Sequence, residues 1–184
     1  MLHQALLDSI IEFWFSDEFS KHWFNSTPAL DCEIKSQFES TYILAIAGTL
    51  QHWQTSPSGC LALILLFDQI PLNMYRGQRE CFAAESQSRD VASIAILKEF
   101  DKNLSDPEKK FVYMPYMHSE DITDQVKAID LFSKAGLTEN LKFARHHHDI
   151  VNRFGRFPHR NKILGRLNTA EEEEYLNSDQ AFHG

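Results

Sequence analysis

A chain of 184 residues with 43% apolar and 24% charged side chains has the material for a sizeable core without staples and is too hydrophobic for disorder. Its net charge of −8 speaks against a general nucleic-acid binder, which presents a basic surface. Cys32, Cys60 and Cys81 are odd in number and far apart, which argues against a disulfide framework or a thiolate zinc site, so free thiols in a reducing cytoplasm are expected.

The opening stretch, residues 6–15, is apolar nearly all round in Ile10, Ile11, Phe13, Trp14 and Phe15 and predicts a buried helix. Asp8 and Glu12 within it do not suit a signal peptide. Ser26, Thr27, Pro28 and Asp31 mark a turn and a helix start, after which Ile34, Phe38, Tyr42, Ala45 and Ile46 recur at spacings of three and four. Ser56-Pro57-Ser58-Gly59 is a second break, with Pro57 suited to a first helical position. The following helix, 60–69, has no polar face and belongs in mid-core; Asp68-Gln69-Ile70-Pro71 is expected to end it. Its uninterrupted apolar run, 60–67, is too short to cross a bilayer, and no membrane association is expected.

Beyond Arg76-Gly77 a long helix is expected over 80–100. Ser105-Asp106-Pro107-Glu108 starts a short one, and Met114-Pro115 ends it. Ser119 is the expected cap of a helix to Ala135, stopped by Gly136; the next begins at Thr138 and stops at Gly155. Thr169-Ala170-Glu171-Glu172 is a capping box for a last helix, with Glu171 to Glu174 read as a solvated first turn. The sum is an all-α chain of seven to eight helices in one domain over 1–184. No linker, low-complexity tract or fixed-period repeat interrupts it, and paired helices would allow a superhelical array.

Four segments place polar groups where packing alone does not need them. Asp68 and Gln69 close the most apolar helix, followed by Asn73 and Arg76; a carboxylate there needs a partner, with Arg76 a candidate. His118 and Glu120 flank Ser119, where capping accounts for part of the pattern. In His146-His147-His148 successive residues point about 100° apart on a helix, so the three cannot share one metal. His147 alone interrupts the apolar stripe of Phe143, Ile150, Val151 and Phe154. It is either a ligand contact or a core histidine bonded to a carboxylate such as Asp68. The richest segment runs from Arg153 through Arg156, His159, Arg160 and Asn161 to Lys162 and Arg166, with no acid among them. These groups either face a common anion or pair with acids such as Asp68 and Glu120 to tie helices together.

The stretches LALILLFDQIPLNMYRG, YMPYMHSED, HHDIVNRFGRFPHRNKILGR and TAEEEEYL, with EFWF and HWF near the start, resemble the bacterial domain-of-unknown-function family 924 over nearly the whole chain. The resemblance implies an all-helical fold similar to tetratricopeptide-like antiparallel arrays, and it brings no established activity, substrate or cofactor. Residue by residue, the family's motif falls on Asp68, Gln69, Pro71, Asn73, Arg76 and Gly77, then His118, Ser119, Glu120 and Gln125. It continues through His147, Arg153, Gly155, Arg156, Pro158, His159, Arg160, Asn161 and Arg166. Two positions depart from it: Leu72 stands where the family usually has arginine, and Glu85 where it has aspartate. The lost arginine weakens any grip on an anion at that segment.

Two functions from different classes follow. In the first, the segments converge on a pocket for a small anionic ligand; in an enzymatic version His147 or His159 is the general base and Arg156 and Arg160 hold the acid group. No GxSxG, P-loop or dinucleotide fingerprint supports a specific reaction. In the second, the array receives an acidic peptide in a groove without catalysis. A metal centre is disfavoured by the absence of HExxH or ExxH spacing and by the surrounding arginines.

Overall fold

The computed structural model describes residues 2–183, which are 75% helical and contain no strand. Nine helices occur among them: α1 (Leu2–Trp14), α2 (Pro28–Ile46), α3 (Pro57–Met74), α4 (Glu85–Leu97), α5 (Asp106–Met117), α6 (Ile122–Lys134), α7 (Thr138–Phe154), α8 (Asn161–Leu164) and α9 (Ala170–Leu176). The one beyond the expected seven to eight is α8, whose four residues are too few to leave a periodic signal.

The helices gather into two compact units. The N-terminal unit comprises the chain up to Arg76 with Glu80–Pro115; the C-terminal unit comprises Gly77–Arg79 with the chain from Tyr116 onward.

In the N-terminal unit α3 is the core. Ser56 caps it by accepting the Gly59 N–H at 3.1 Å, and Pro57 takes the first turn, as the sequence predicts. By length and composition α3 could cross a membrane, but 83% of it is buried within the protein, so its apolar surface is already spent on packing. Contrary to expectation α3 does not stop at Pro71. Residues Leu65–Gln69 form a π turn in which the Ile70 N–H reaches back to the Leu65 carbonyl, and the helix continues past the proline to Met74. The wide turn carries Asp68 and Gln69, both buried.

Other boundaries differ for identifiable reasons. Helix α1 is one-sided, burying Leu7, Ile10 and Trp14 while Asp8 and Glu12 face solvent. In α2 the expected stripe is buried through Ala45, but Ile46 is exposed. The helix expected over 80–100 begins as a 3-10 turn (Arg79–Phe82) and ends at Leu97, because Glu99 takes the left-handed conformation (φ 57°) and leads into a second 3-10 turn. That turn buries Asp101, which accepts the Tyr113 hydroxyl at 2.7 Å. Helix α5 continues one turn beyond Met114 with Pro115 inside it, and the burial of Tyr116 and Met117 compensates the missing N–H. The cap of α6 is Asp121, accepting the Thr123 N–H at 2.7 Å, not Ser119.

Gly59 is the tightest joint in the N-terminal unit. A Cβ there would stand 2.1 Å from the Trp53 carbonyl oxygen, backbone that cannot yield without moving the turn from α3. Gly59→Ala is expected to lower the free energy of unfolding by about 3 kcal/mol, measured by urea denaturation. A change within experimental error would show the joint to be loose.

Candidate functional site

In the N-terminal unit the polar set runs along the end of α3. Asp68 Oδ2 accepts Gln69 Nε2 at 2.5 Å, and Asn73 Nδ2 donates to the Gln69 carbonyl at 3.1 Å. Asn73 Oδ1 in turn receives Arg76 Nη2 at 3.1 Å. Arg76, one candidate partner for Asp68, forms a two-pronged pair with Asp31 in the first turn of α2, at 2.7 and 3.1 Å. Burial acts to raise the Asp31 carboxyl, but Arg76 and the Ser26 hydroxyl outweigh it and hold it below its ordinary value.

In the C-terminal unit the basic run is organised by two carboxylates. Glu120 Oε1 accepts the Phe157 N–H at 2.8 Å and Arg166 Nη2 at 2.8 Å, and Oε2 accepts Arg166 Nη1 at 2.6 Å. Arg166 also donates to Asn161 Oδ1 at 2.8 Å and to the Phe157 carbonyl at 3.2 Å. Burial would raise the Glu120 pKa; the Arg166 guanidinium and the Phe157 amide outweigh it and the group stays below the usual carboxylate range. Glu172, read from the sequence as part of a solvated run, is 1% exposed. It closes the capping box with Thr169 and takes Arg156 at 2.6 and 2.8 Å. Arg156 drives its pKa down to about 2. Arg153 lies apart on the surface against Glu171 at 2.8 Å.

Inside this frame the imidazoles meet around Phe157. Gly155 ends α7 in the left-handed conformation (φ 69°), donating its N–H to Val151, and the chain doubles back through the 3-10 turn Pro158–Arg160. The Phe157 ring then lies 5.4 Å from His147 and 5.6 Å from His159, with the buried Arg160 guanidinium 4.6 Å from its centroid. Arg160 Nη2 donates to the His118 carbonyl at 3.0 Å, and the His118 ring is 6.4 Å from that of His147. Gln125 Nε2 fixes the segment carrying His118, bonding the Met117 and Ser119 carbonyls at 2.7 and 2.6 Å. His147 Nδ1 is 2.8 Å from the Phe143 carbonyl, which assigns the proton to Nδ1 and leaves Nε2 the acceptor. Burial pushes His147 down to about 3, with His118 adding to the effect, and pushes His159 down to about 4, helped by Arg160. Among the described residues no three His, Cys, Asp or Glu side chains form a metal-binding group.

A profile described as a bacterial protein of unknown function, DUF924, matches residues 10–180. The chain belongs to the DUF924 family. A solved structure of a similar protein, the protein of unknown function ATU0120 from Agrobacterium tumefaciens, superposes with a TM-score of 0.90 at 38% identity, covering 95% of this chain and 98% of that one. No match to a curated protein was found.

The residues singled out from the sequence divide between the two units. Asp68, Gln69, Asn73 and Arg76 lie together along α3 and its exit, whereas His118, Glu120, His147, Arg156, His159, Arg160, Asn161 and Arg166 lie in the C-terminal unit. Sequence reasoning missed Phe157 as the hub and Phe182, whose ring packs 4.7 Å from His147. A lone aromatic in a loop carries no periodic signal; the capping box at Thr169 did point to Glu172 but not to its arginine.

Two outcomes follow. The native state keeps Glu172 ionised at a pH where the unfolded chain, with an ordinary value of 4.5, has taken a proton. Its contribution is therefore complete above about pH 4.5 and lost as pH falls toward 2. Glu172→Gln should cost about 2 kcal/mol at pH 7, and its difference from wild type should shrink across that window in denaturant titrations; a constant difference contradicts the pairing. Separately, the imidazole resonances of His147 and His159 should hold their neutral positions on titration from pH 8 down to about 5. A midpoint near pH 6.5 for either would show it to be open to water.

Proposed function

We propose that the C-terminal unit binds a small anionic ligand at the cluster of His118, His147, His159 and Arg160. The observation that carries this reading is His159, whose Nδ1 is buried without a hydrogen-bond partner. Gln125 Oε1, in the side chain that fixes the segment bearing His118, also lacks one. A buried polar atom left unsatisfied costs about 1–3 kcal/mol, which a ligand group would return. The neighbouring cation is Arg160, close enough to depress the His159 pKa. Arg156 and Arg166 hold Glu172 and Glu120. The ligand's hydrogen-bonding group is assigned to His159 Nδ1, beside the buried Arg160 guanidinium.

Values of about 3 and 4 make His147 and His159 weak bases at neutral pH. They suit hydrogen bonding better than proton abstraction, so the proposal is binding, with no catalytic step assigned. An acidic peptide is the less favoured occupant, because Arg153, Arg156 and Arg166 would have to release their own carboxylates to take it. The three-residue turn between α6 and α7 pairs these helices as a hairpin, which supports a tetratricopeptide-like reading for that pair. Free thiols at Cys32, Cys60 and Cys81 fit a cytoplasmic setting.

Thermal-shift and NMR titrations with inorganic phosphate and with acetate test the reading. Either anion should raise Tm and move the His159 resonances, and His159→Ala and Arg160→Gln should abolish the response. Arg153→Gln, at the exposed Glu171 pair, should retain it. Unmoved Tm and resonances with both anions would remove the proposal.

A further inference from the structure

In the N-terminal unit the amine of Lys110 stands among aromatic rings with no acid to meet it. Its Nζ lies 3.8 Å from the centroid of the Trp23 ring, 5.0 Å from that of Phe111 and 5.4 Å from that of Phe24. Neighbours fix this box: the Trp23 indole N–H donates to the Trp14 carbonyl at 2.8 Å, and its ring meets Phe15 and Phe111 edge-on at 5.6 and 5.0 Å. Lys35, Lys102 and Lys109 of the same unit each have a carboxylate at salt-bridge distance, Lys109 taking Asp106 at the start of α5. Lys110 has none among the described residues. Ring faces attract an ammonium but supply no acceptor for its three N–H donors. Burial pushes the amine down to about 8, so far more of it is free base at neutral pH than in an ordinary lysine. Phe24, 69% exposed, forms the wall of the box that faces water.

We propose that Lys110 is a covalent site for aryl aldehydes, its Nζ forming an imine while the aldehyde's ring rests against Trp23 and Phe24. A lysine desolvated among apolar groups is suited to Schiff-base formation with carbonyl compounds. The nitrogen lone pair adds to the carbonyl carbon and the carbonyl π bond breaks toward oxygen. Both protons of the neutral amine then leave with that oxygen as water, so the step needs no oxidant, reductant or third reactant. The aryl body follows from the walls: Phe24 leaves an apolar ring exposed beside the amine, and a second ring laid against it removes both from water. The site lies in the other unit from the imidazole cluster and is independent of the anion-binding reading.

Reductive trapping is the test. The full chain is treated with benzaldehyde or with propanal and cyanoborohydride at about pH 7.5, and the modified lysines are mapped by mass spectrometry, which separates them from the terminal amine. Lys21, exposed and in the same unit, is the internal reference. Benzaldehyde should label Lys110 about ten-fold faster than Lys21, and with propanal that ratio should be about three-fold smaller. Phe24→Ala trims an exposed ring and leaves the buried core untouched; it should bring the benzaldehyde ratio down to that of propanal. Labelling of Lys110 no faster than Lys21 would overturn the proposal. So would one ratio for both aldehydes, or a benzaldehyde ratio that Phe24→Ala leaves unchanged.

Discussion

Glu120 joins two distant stretches of chain through one carboxylate: the amide of Phe157, 37 residues on, and the guanidinium of Arg166, 46 residues on. The turn after α7 contains Gly155 and Pro158 and has few backbone bonds of its own, so its shape is set from outside. Glu120 holds it at one end and Arg166 carries the restraint to Asn161 and the Phe157 carbonyl. The pair is about three-quarters buried, with side-chain exposures of 24% and 26%. Its worth therefore lies between a surface pair, about 1 kcal/mol or less, and a buried pair whose breaking costs about 3–5 kcal/mol. The clamp thereby braces the turn that carries Phe157, His159 and Arg160.

The same arrangement divides the arginines by task. Arg76, Arg153, Arg156 and Arg166 each have a carboxylate at salt-bridge distance. Arg160 lies buried over an aromatic face with its Nη2 on a backbone carbonyl. Burial first, and then the Arg160 charge, make protonation of His159 unfavourable.

Helix positions were legible from the sequence wherever a periodic stripe or a capping residue marked them: Pro28, Pro57, Thr138 and the box at Thr169 all begin helices as read. The errors occur where a tertiary effect overrides a local rule. Pro71 and Pro115 look like terminators, yet a π turn carries the first and deep burial the second. His147 was identified from its place in the stripe, although its companion Phe143 is 57% exposed. Glu120 was legible as an acid that could answer the basic run, and Arg166 holds it. Glu172 was not legible as the partner of Arg156, because capping and helix polarity gave it a sufficient local explanation. Pairings over tens of residues leave no trace in spacing.

The wide turn of α3 holds one residue more than an α-helix needs to cover the same rise. Losing a residue elsewhere in that helix would rotate everything beyond it by about 100° and turn buried faces outward. Losing one within Leu65–Gln69 would instead let the segment tighten to ordinary pitch, with both flanks keeping their orientation. The longest apolar helix thus carries a slack point in its register, and it falls where Asp68 and Gln69 are brought inward.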